Sequence, residues 1–123
     1  MREILFRGKR EDNGRWIQGD YQHFHIENDI YVYIGRWGEE MRSVKPETVG
    51  QFTGLTDKNG TKIFEGDILS ENGYLFVVVW DQAWARFKLQ HDGRCYQYPE
   101  WNRGIQMEIV GNIHDNPELL EVL

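Results

Sequence analysis

One short pattern occurs twice along the chain, and it limits the possible architectures more than any other feature. Asn13-Gly14-Arg15-Trp16-Ile17-Gln18-Gly19-Asp20-Tyr21 returns as Asn59-Gly60-Thr61-Lys62-Ile63-Phe64-Glu65-Gly66-Asp67-Ile68, with one residue inserted after Asn-Gly. A second echo closes each half: Val49-Gly50-Gln51-Phe52 and Val110-Gly111-Asn112-Ile113. Self-similarity of this kind marks a structural unit used more than once. The order predicts a mainly β protein built from two tandem related small β units, barrel or sandwich in form and packed together in one compact domain. Residues 1–53 would form the first unit and 54–123 the second. Superposing 13–21 on 59–68 should then bring Phe52 near the position of Ile113.

Strand patterns fill both halves. Asn13-Gly14 supplies the positive φ values of a tight hairpin, and Trp16 to Ile26 reads as a strand bent near Gly19. Period-2 alternation places Phe24 and Ile26 toward the core and turns His23, His25 and Glu27 outward. Ile30 to Ile34 returns as a β-branched and aromatic strand. Pro46 argues for an edge or a connection between Arg42 and Thr48. Thr53-Gly54-Leu55-Thr56 is too short for a flexible linker, which favours close packing of the units. Tyr74 to Trp80 shows no polar alternation and should be buried on both faces. In Trp84 to Leu89, Ala85, Phe87 and Leu89 should face inward, with Trp84, Arg86 and Lys88 outward. Asn116-Pro117-Glu118 has the order of N-cap, N1 and N2, which predicts a short C-terminal helix docked through Leu119 or Leu120.

Composition narrows the class. A 123-residue chain with five Trp, six Tyr and six Phe can bury a real core. One cysteine excludes an internal disulfide framework and fits a reducing cytosol. No apolar stretch approaches a membrane span, and the N-terminus does not read as a signal peptide, so the expected location is cytoplasmic. A formal charge of −6 disfavours nucleic acid and favours a protein partner.

The candidate chemistry is sparse. His23, His25 and Glu27 share one strand face with zinc-like donors, but an outward polar trio facing water explains them better, and no metal is expected. Asp20 and Asp67 hold matching places in the repeat. A paired acid and base would use such residues, although a carboxylate accepting backbone N–H bonds at a turn fits a duplicated unit better. Cys95 lacks a Cys-x-x-Cys partner, and His91 is its nearest histidine, so it reads as an inert thiol. The glycines at 54, 60 and 66 lie in turn–strand context rather than in a phosphate cradle. No catalytic residue and no cofactor is therefore expected. The surface left to consider is Trp84 with Arg86 and Lys88. It is either covered by protein, from this molecule or a second copy, or it stacks on nucleic-acid bases.

Three stretches resemble a known family. They are Met1-Arg2-Glu3-Ile4-Leu5-Phe6-Arg7, the long segment from Gln51-Phe52-Thr53-Gly54-Leu55-Thr56-Asp57 through Glu65-Gly66-Asp67-Ile68, and Glu108-Ile109-Val110-Gly111-Asn112-Ile113-His114-Asp115-Asn116-Pro117-Glu118-Leu119-Leu120. Together they are similar to the signatures of the YopX-like family of bacteriophages and prophages. The resemblance implies a mainly β phage protein without an established biochemical role, and it carries over no catalytic residue. The expected function is a non-enzymatic accessory module that binds protein or forms a homo-oligomer. The rival is a nucleic-acid-binding small β-barrel using Trp84, Arg86, Lys88 and Arg94.

Overall fold

A computed structural model describes residues 3–36, 38–91, 94–97 and 107–122, with backbone alone for 94–97 and 121–122. The expected loop at Trp37, the turn at Asp92-Gly93 and the alternation at Ile105 lie outside the described residues. The chain divides into two units, Met1–Phe52 and Thr53–Leu123.

The first unit begins with β1 (Phe6–Lys9), β2 (Trp16–Ile26), β3 (Asp29–Gly35) and β4 (Met41–Val44). A 3-10 turn at Pro46–Thr48 leads into β5 (Gly50–Thr56), which continues across the unit boundary. The join at 53–56 is thus strand rather than linker. The sheet order is β4-β3-β2-β1-β5, so the fifth strand returns to the outer side of the first. Gly14, at φ 72°, closes the first hairpin, and the Asn13 side-chain oxygen accepts the Arg15 N–H at 2.9 Å. Val32, Ile34 and Val44 form the buried centre, with Phe6, Ile17 and Val49 packed on it. Full burial of each such side chain contributes about 1.5–3 kcal/mol. β4 is an edge strand and Pro46 follows it, as the proline requires.

The second unit opens with β6 (Lys62–Phe64), the neighbour of β5. It continues with β7 (Asp67–Glu71), β8 (Tyr74–Asp81), β9 (Arg86–His91), β10 (Arg94–Gln97) and β11 (Glu108–Asn112). Their order is β10-β9-β8-β7-β11. Ile63, Leu69, Val78, Phe87, Leu89 and Met107 form its core. The inward assignment of Phe87 and Leu89 agrees with this.

Each half is therefore a four-stranded antiparallel meander whose fifth strand lies beside its first. The two Val-Gly echoes fall on those fifth strands, β5 and β11. The Asn-Gly echoes do not correspond in the same way. One turn joins the first two strands of its meander, whereas the other joins β5 to β6, ahead of β7. The Gly-Asp echoes differ as well. Gly19-Asp20 lies inside continuous β2 with Asp20 exposed, while Gly66, at φ 93°, breaks the chain between β6 and β7. Asp67 is 2% exposed, and its carboxylate accepts the Phe64 N–H at 2.7 Å.

Four expectations are corrected. The two sheets are antiparallel but close into no barrel; a single bridge, Arg10 to Val44, joins the end of β1 to β4. The C-terminal element Pro117–Val122 is a 3-10 turn rather than an α-helix. Asn116 faces backward there, with its side-chain oxygen accepting the Asn112 N–H at 3.2 Å. β8 is not buried on both faces, because Tyr74 and Trp80 are exposed and only Val78 and Asp81 are fully covered. A run of valines satisfies strand geometry without requiring two covered faces. Finally, Trp84 precedes β9 instead of beginning it.

Val110 is the extra residue of a bulge between the Ile109–Leu69 and Gly111–Ile68 pairs. A Cβ on Gly111 would lie 2.5 Å from the Asn116 side-chain oxygen. Gly111→Ala should displace that oxygen from Asn112 and cost about 1 kcal/mol. Urea denaturation checks this, and Asn116→Ala should remove most of the added penalty.

Candidate partner surface

Trp84 sits in the turn between β8 and β9 and is 68% exposed. The turn is built around Asp81, whose buried carboxylate accepts the N–H of Ala83 at 3.0 Å and of Trp84 at 3.4 Å. Ala85 takes φ 50°, and this left-handed step ends the alternation before Arg86. The outward direction of Trp84 is as expected, but its cause is the turn and not a strand face. The Arg86 guanidinium lies over the indole, 5.5 Å from the ring centroid. Lys88 instead pairs with Asp81 at 3.7 Å. The structure therefore joins Trp84 to Arg86 and draws Lys88 toward an acid. The side chains of Arg94 and Cys95 lie outside the described residues. His91 contacts the Leu75 carbonyl oxygen through Nδ1 at 2.7 Å and packs against Tyr74 and Phe76.

The β2–β3 hairpin forms a second surface. Eleven residues of β2 span roughly 36 Å at strand rise, while β1 and β4 have four residues each. The hairpin therefore outruns the core that supports its base. The register pairs His23 with Val32 and Tyr21 with Ile34, and both partners are buried in the core. Directly paired residues share a sheet face. Tyr21, His23 and His25 thus lie on the core-side face, and Phe24 and Ile26 on the other, the reverse of the sequence expectation. Beyond the core both faces are open: Phe24 is 45% exposed and Ile26 59%. Along one face Phe6, Tyr21, His23 and His25 form a run of ring contacts at 5.2–5.5 Å. Glu27 sits in the hairpin turn at φ 57°. Among the described residues no three His, Cys, Asp or Glu side chains cluster as metal ligands would.

Several residues behind the family resemblance serve the backbone. The Asp57 carboxylate, 4% exposed, accepts N–H bonds from Asn59, Thr61 and Ile109 at 2.9–3.1 Å. Burial pushes this carboxyl up, but those three donors, with Lys58 nearby, outweigh burial and hold it below the usual range. Thr53 donates its hydroxyl to the Ile63 carbonyl oxygen, and Asn112 accepts from the N–H groups of His114 and Asp115. Asp57, the hub of this turn, was not among the candidate residues. Aspartate before Asn-Gly is the visible signal for such a side-chain-to-backbone turn.

Among the described residues no helix is long and apolar enough to cross a membrane. No curated protein sequence matches the chain. The crystal structure of protein EF1440 from Enterococcus faecalis is similar in fold, with a TM-score of 0.59 and 23% identity, covering 98% of this chain and 99% of that one. The family described as YopX protein matches residues 5–121. With the match spanning both units and the two longer signature stretches, this chain belongs to the YopX family.

Proposed function

We propose that the chain is a non-enzymatic accessory module of phage or prophage origin that works in the cytoplasm by binding protein, either another copy of itself or a host partner. It needs no metal or cofactor. The observation that supports this most is the concentration of exposed apolar surface. Of ten large apolar side chains exposed among the described residues, five fall between Tyr21 and Tyr31. Apolar side chains grouped in this way mark interaction surfaces more often than scattered ones do. The structural use of Asp57, Asp67 and Asn112 points the same way, since these three polar residues of the family signatures bond to backbone N–H groups.

A second reading, nucleic-acid binding, draws support from the exposed Trp84 and the guanidinium over its ring. The pairing of Lys88 with Asp81 weakens it by neutralising one of the three cations it needs. Trp84→Ala tests both readings. It should leave circular dichroism unchanged, because the side chain is mostly in water. If Trp84 anchors a protein partner, self-association or capture from lysogenic host cells should weaken by about 1–2 kcal/mol or more, as at interface hot spots. Tight, steeply salt-dependent binding of single-stranded DNA or RNA, lost in the variant, would favour the second reading. Unchanged mass and capture would remove Trp84 from the binding surface.

A further inference from the structure

Among the described residues one edge of β2 is left open beyond Gly19, and the hydrogen-bond alternation shows which groups it presents. Ile26 and Asp29 flank a two-residue turn and pair directly, so they exchange both backbone hydrogen bonds. Counting back by twos, Gln22 and Phe24 also bond to β3. The N–H and C=O groups of Tyr21, His23 and His25 therefore point to the other side. β1 covers that side only as far as Gly19. Among the described residues no strand lies along it from Tyr21 to Ile26.

Open edges are normally blunted by lysine, proline, a bulge or an inward charge. Tyr21-Gln22-His23-Phe24-His25-Ile26 has none of these and no formal charge at pH 7 with neutral histidines. The net −6 of the chain opposes self-association, as do Asp20, Glu27 and Asp29, which flank the segment with no lysine or arginine between residues 16 and 35, but most of the excess lies in the second unit. Residues 1–52 hold eight basic and nine acidic side chains, against six and eleven in 53–123. The segment is also self-complementary. Antiparallel pairing about His23 sets His23 against its own copy and Tyr21 against His25 of the other. Three donors and three acceptors on each strand then meet, and Phe24 faces Gln22 of the other copy.

We infer that β2 of one molecule pairs antiparallel with β2 of a second along Tyr21–Ile26, joining the two hairpins into one continuous sheet. The inference rests on the protein-binding reading and names its surface and occupant. Area supports a second copy as the occupant. Tyr21, His23, Phe24, His25 and Ile26 are all exposed beside this edge. At roughly 100 Å² left open per large side chain, they offer about 500 Å² per copy. A symmetric pair that covered all of it would bury about 1,000 Å², the lower limit for a specific interface.

Light scattering on the full chain from about 1 to 200 µM, beside His23→Lys and His23→Pro, provides the test. Lysine would face its own copy across the two-fold axis. Proline would remove an N–H that points to the open edge while leaving the bonds to β3 in place. The wild type should be dimeric in this range, and each folded variant should dissociate at least tenfold more readily with unchanged circular dichroism. If one variant fails to fold, the other decides. A wild type that stays monomeric at 200 µM would overturn the inference and leave binding to a different protein as the surviving form of the broader reading. A dimer unchanged by the folded variants, or one dissociated by Trp84→Ala instead, would overturn the β2 edge while supporting self-association through another surface.

Discussion

Alanine at Gly35 should destabilise the protein by about 3 kcal/mol or more, at the upper end of the cost of forcing atoms into a filled space. A Cβ there would lie 2.1 Å from the Glu40 carbonyl oxygen and 2.9 Å from the Met41 Cα. Both are backbone atoms of the chain entering β4, and neither can swing aside as a side-chain tip can. Below it, a Cβ on Gly19 would lie 2.4 Å from the Gly35 carbonyl oxygen. The two glycines thus let β2, β3 and β4 pass closely at the base of the hairpin. Gly19→Ala should be comparably damaging. Gly54→Ala is the control, since open space surrounds Gly54 but φ is 92°. It should cost only the conformational penalty of about 1–2 kcal/mol. Urea denaturation of the three variants gives the comparison. Equal midpoints for Gly35→Ala and wild type would show that β4 has room to shift.

Removing the Asp57 carboxylate should have a similar effect for an electrostatic reason. Asp57→Ala strips one acceptor from three backbone N–H groups, each bond to a charged partner being worth about 1.5–3 kcal/mol. Water can reach Asn59, which is exposed, so the contributions do not add fully, and about 3–4 kcal/mol is expected. The Ile109 N–H is the donor least easily replaced, because the bond reaches from the turn to β11. The pH dependence follows from the direction of the shift. The folded carboxyl is held below its unfolded value of about 3.9. Its stabilisation is therefore complete above that value and lost as pH falls through the folded pKa. Asp57→Asn lacks this component, so its deficit relative to wild type should be constant from pH 7 to about 5 and shrink below about 4. A deficit unchanged down to pH 3 would contradict the assignment.

Local chemistry made much of the fold legible in the sequence. The Asn-Gly turns, the edge position before Pro46 and the inward placement of Phe87 and Leu89 follow from turn preference and period-2 alternation. The Val-Gly echoes mark the fifth strand of each unit. Their agreement with the repeated strand order could be read from the sequence, whereas the mismatch of the Asn-Gly echoes could not. A hairpin turn has the same sequence requirement wherever it falls in a meander, so it carries no topological address.

The surface was less legible because alternation states which residues share a face but not which face is covered. In β2 the apolar Phe24 and Ile26 suggested the core side, yet the pairing of His23 with Val32 reverses the assignment. The sequence also gives no sign that β2 outruns the strands supporting it. At Trp84 the opposite occurred: the outward direction was right, but Asp81 and the left-handed Ala85 place it in a turn. At the C-terminus Asn116 had the identity of an N-cap, and its side chain was already committed to Asn112.

A second copy of the chain is the proposed cover of the exposed β2–β3 hairpin. Hydrogen exchange of the wild-type chain, read over residues 21–31 at low and high protein concentration, addresses this directly. Exchange at Tyr21, His23 and His25 should slow at least tenfold at the higher concentration, while the amides of β8 and β9 stay unchanged. Exchange at those three positions that is equally fast at every concentration would contradict it.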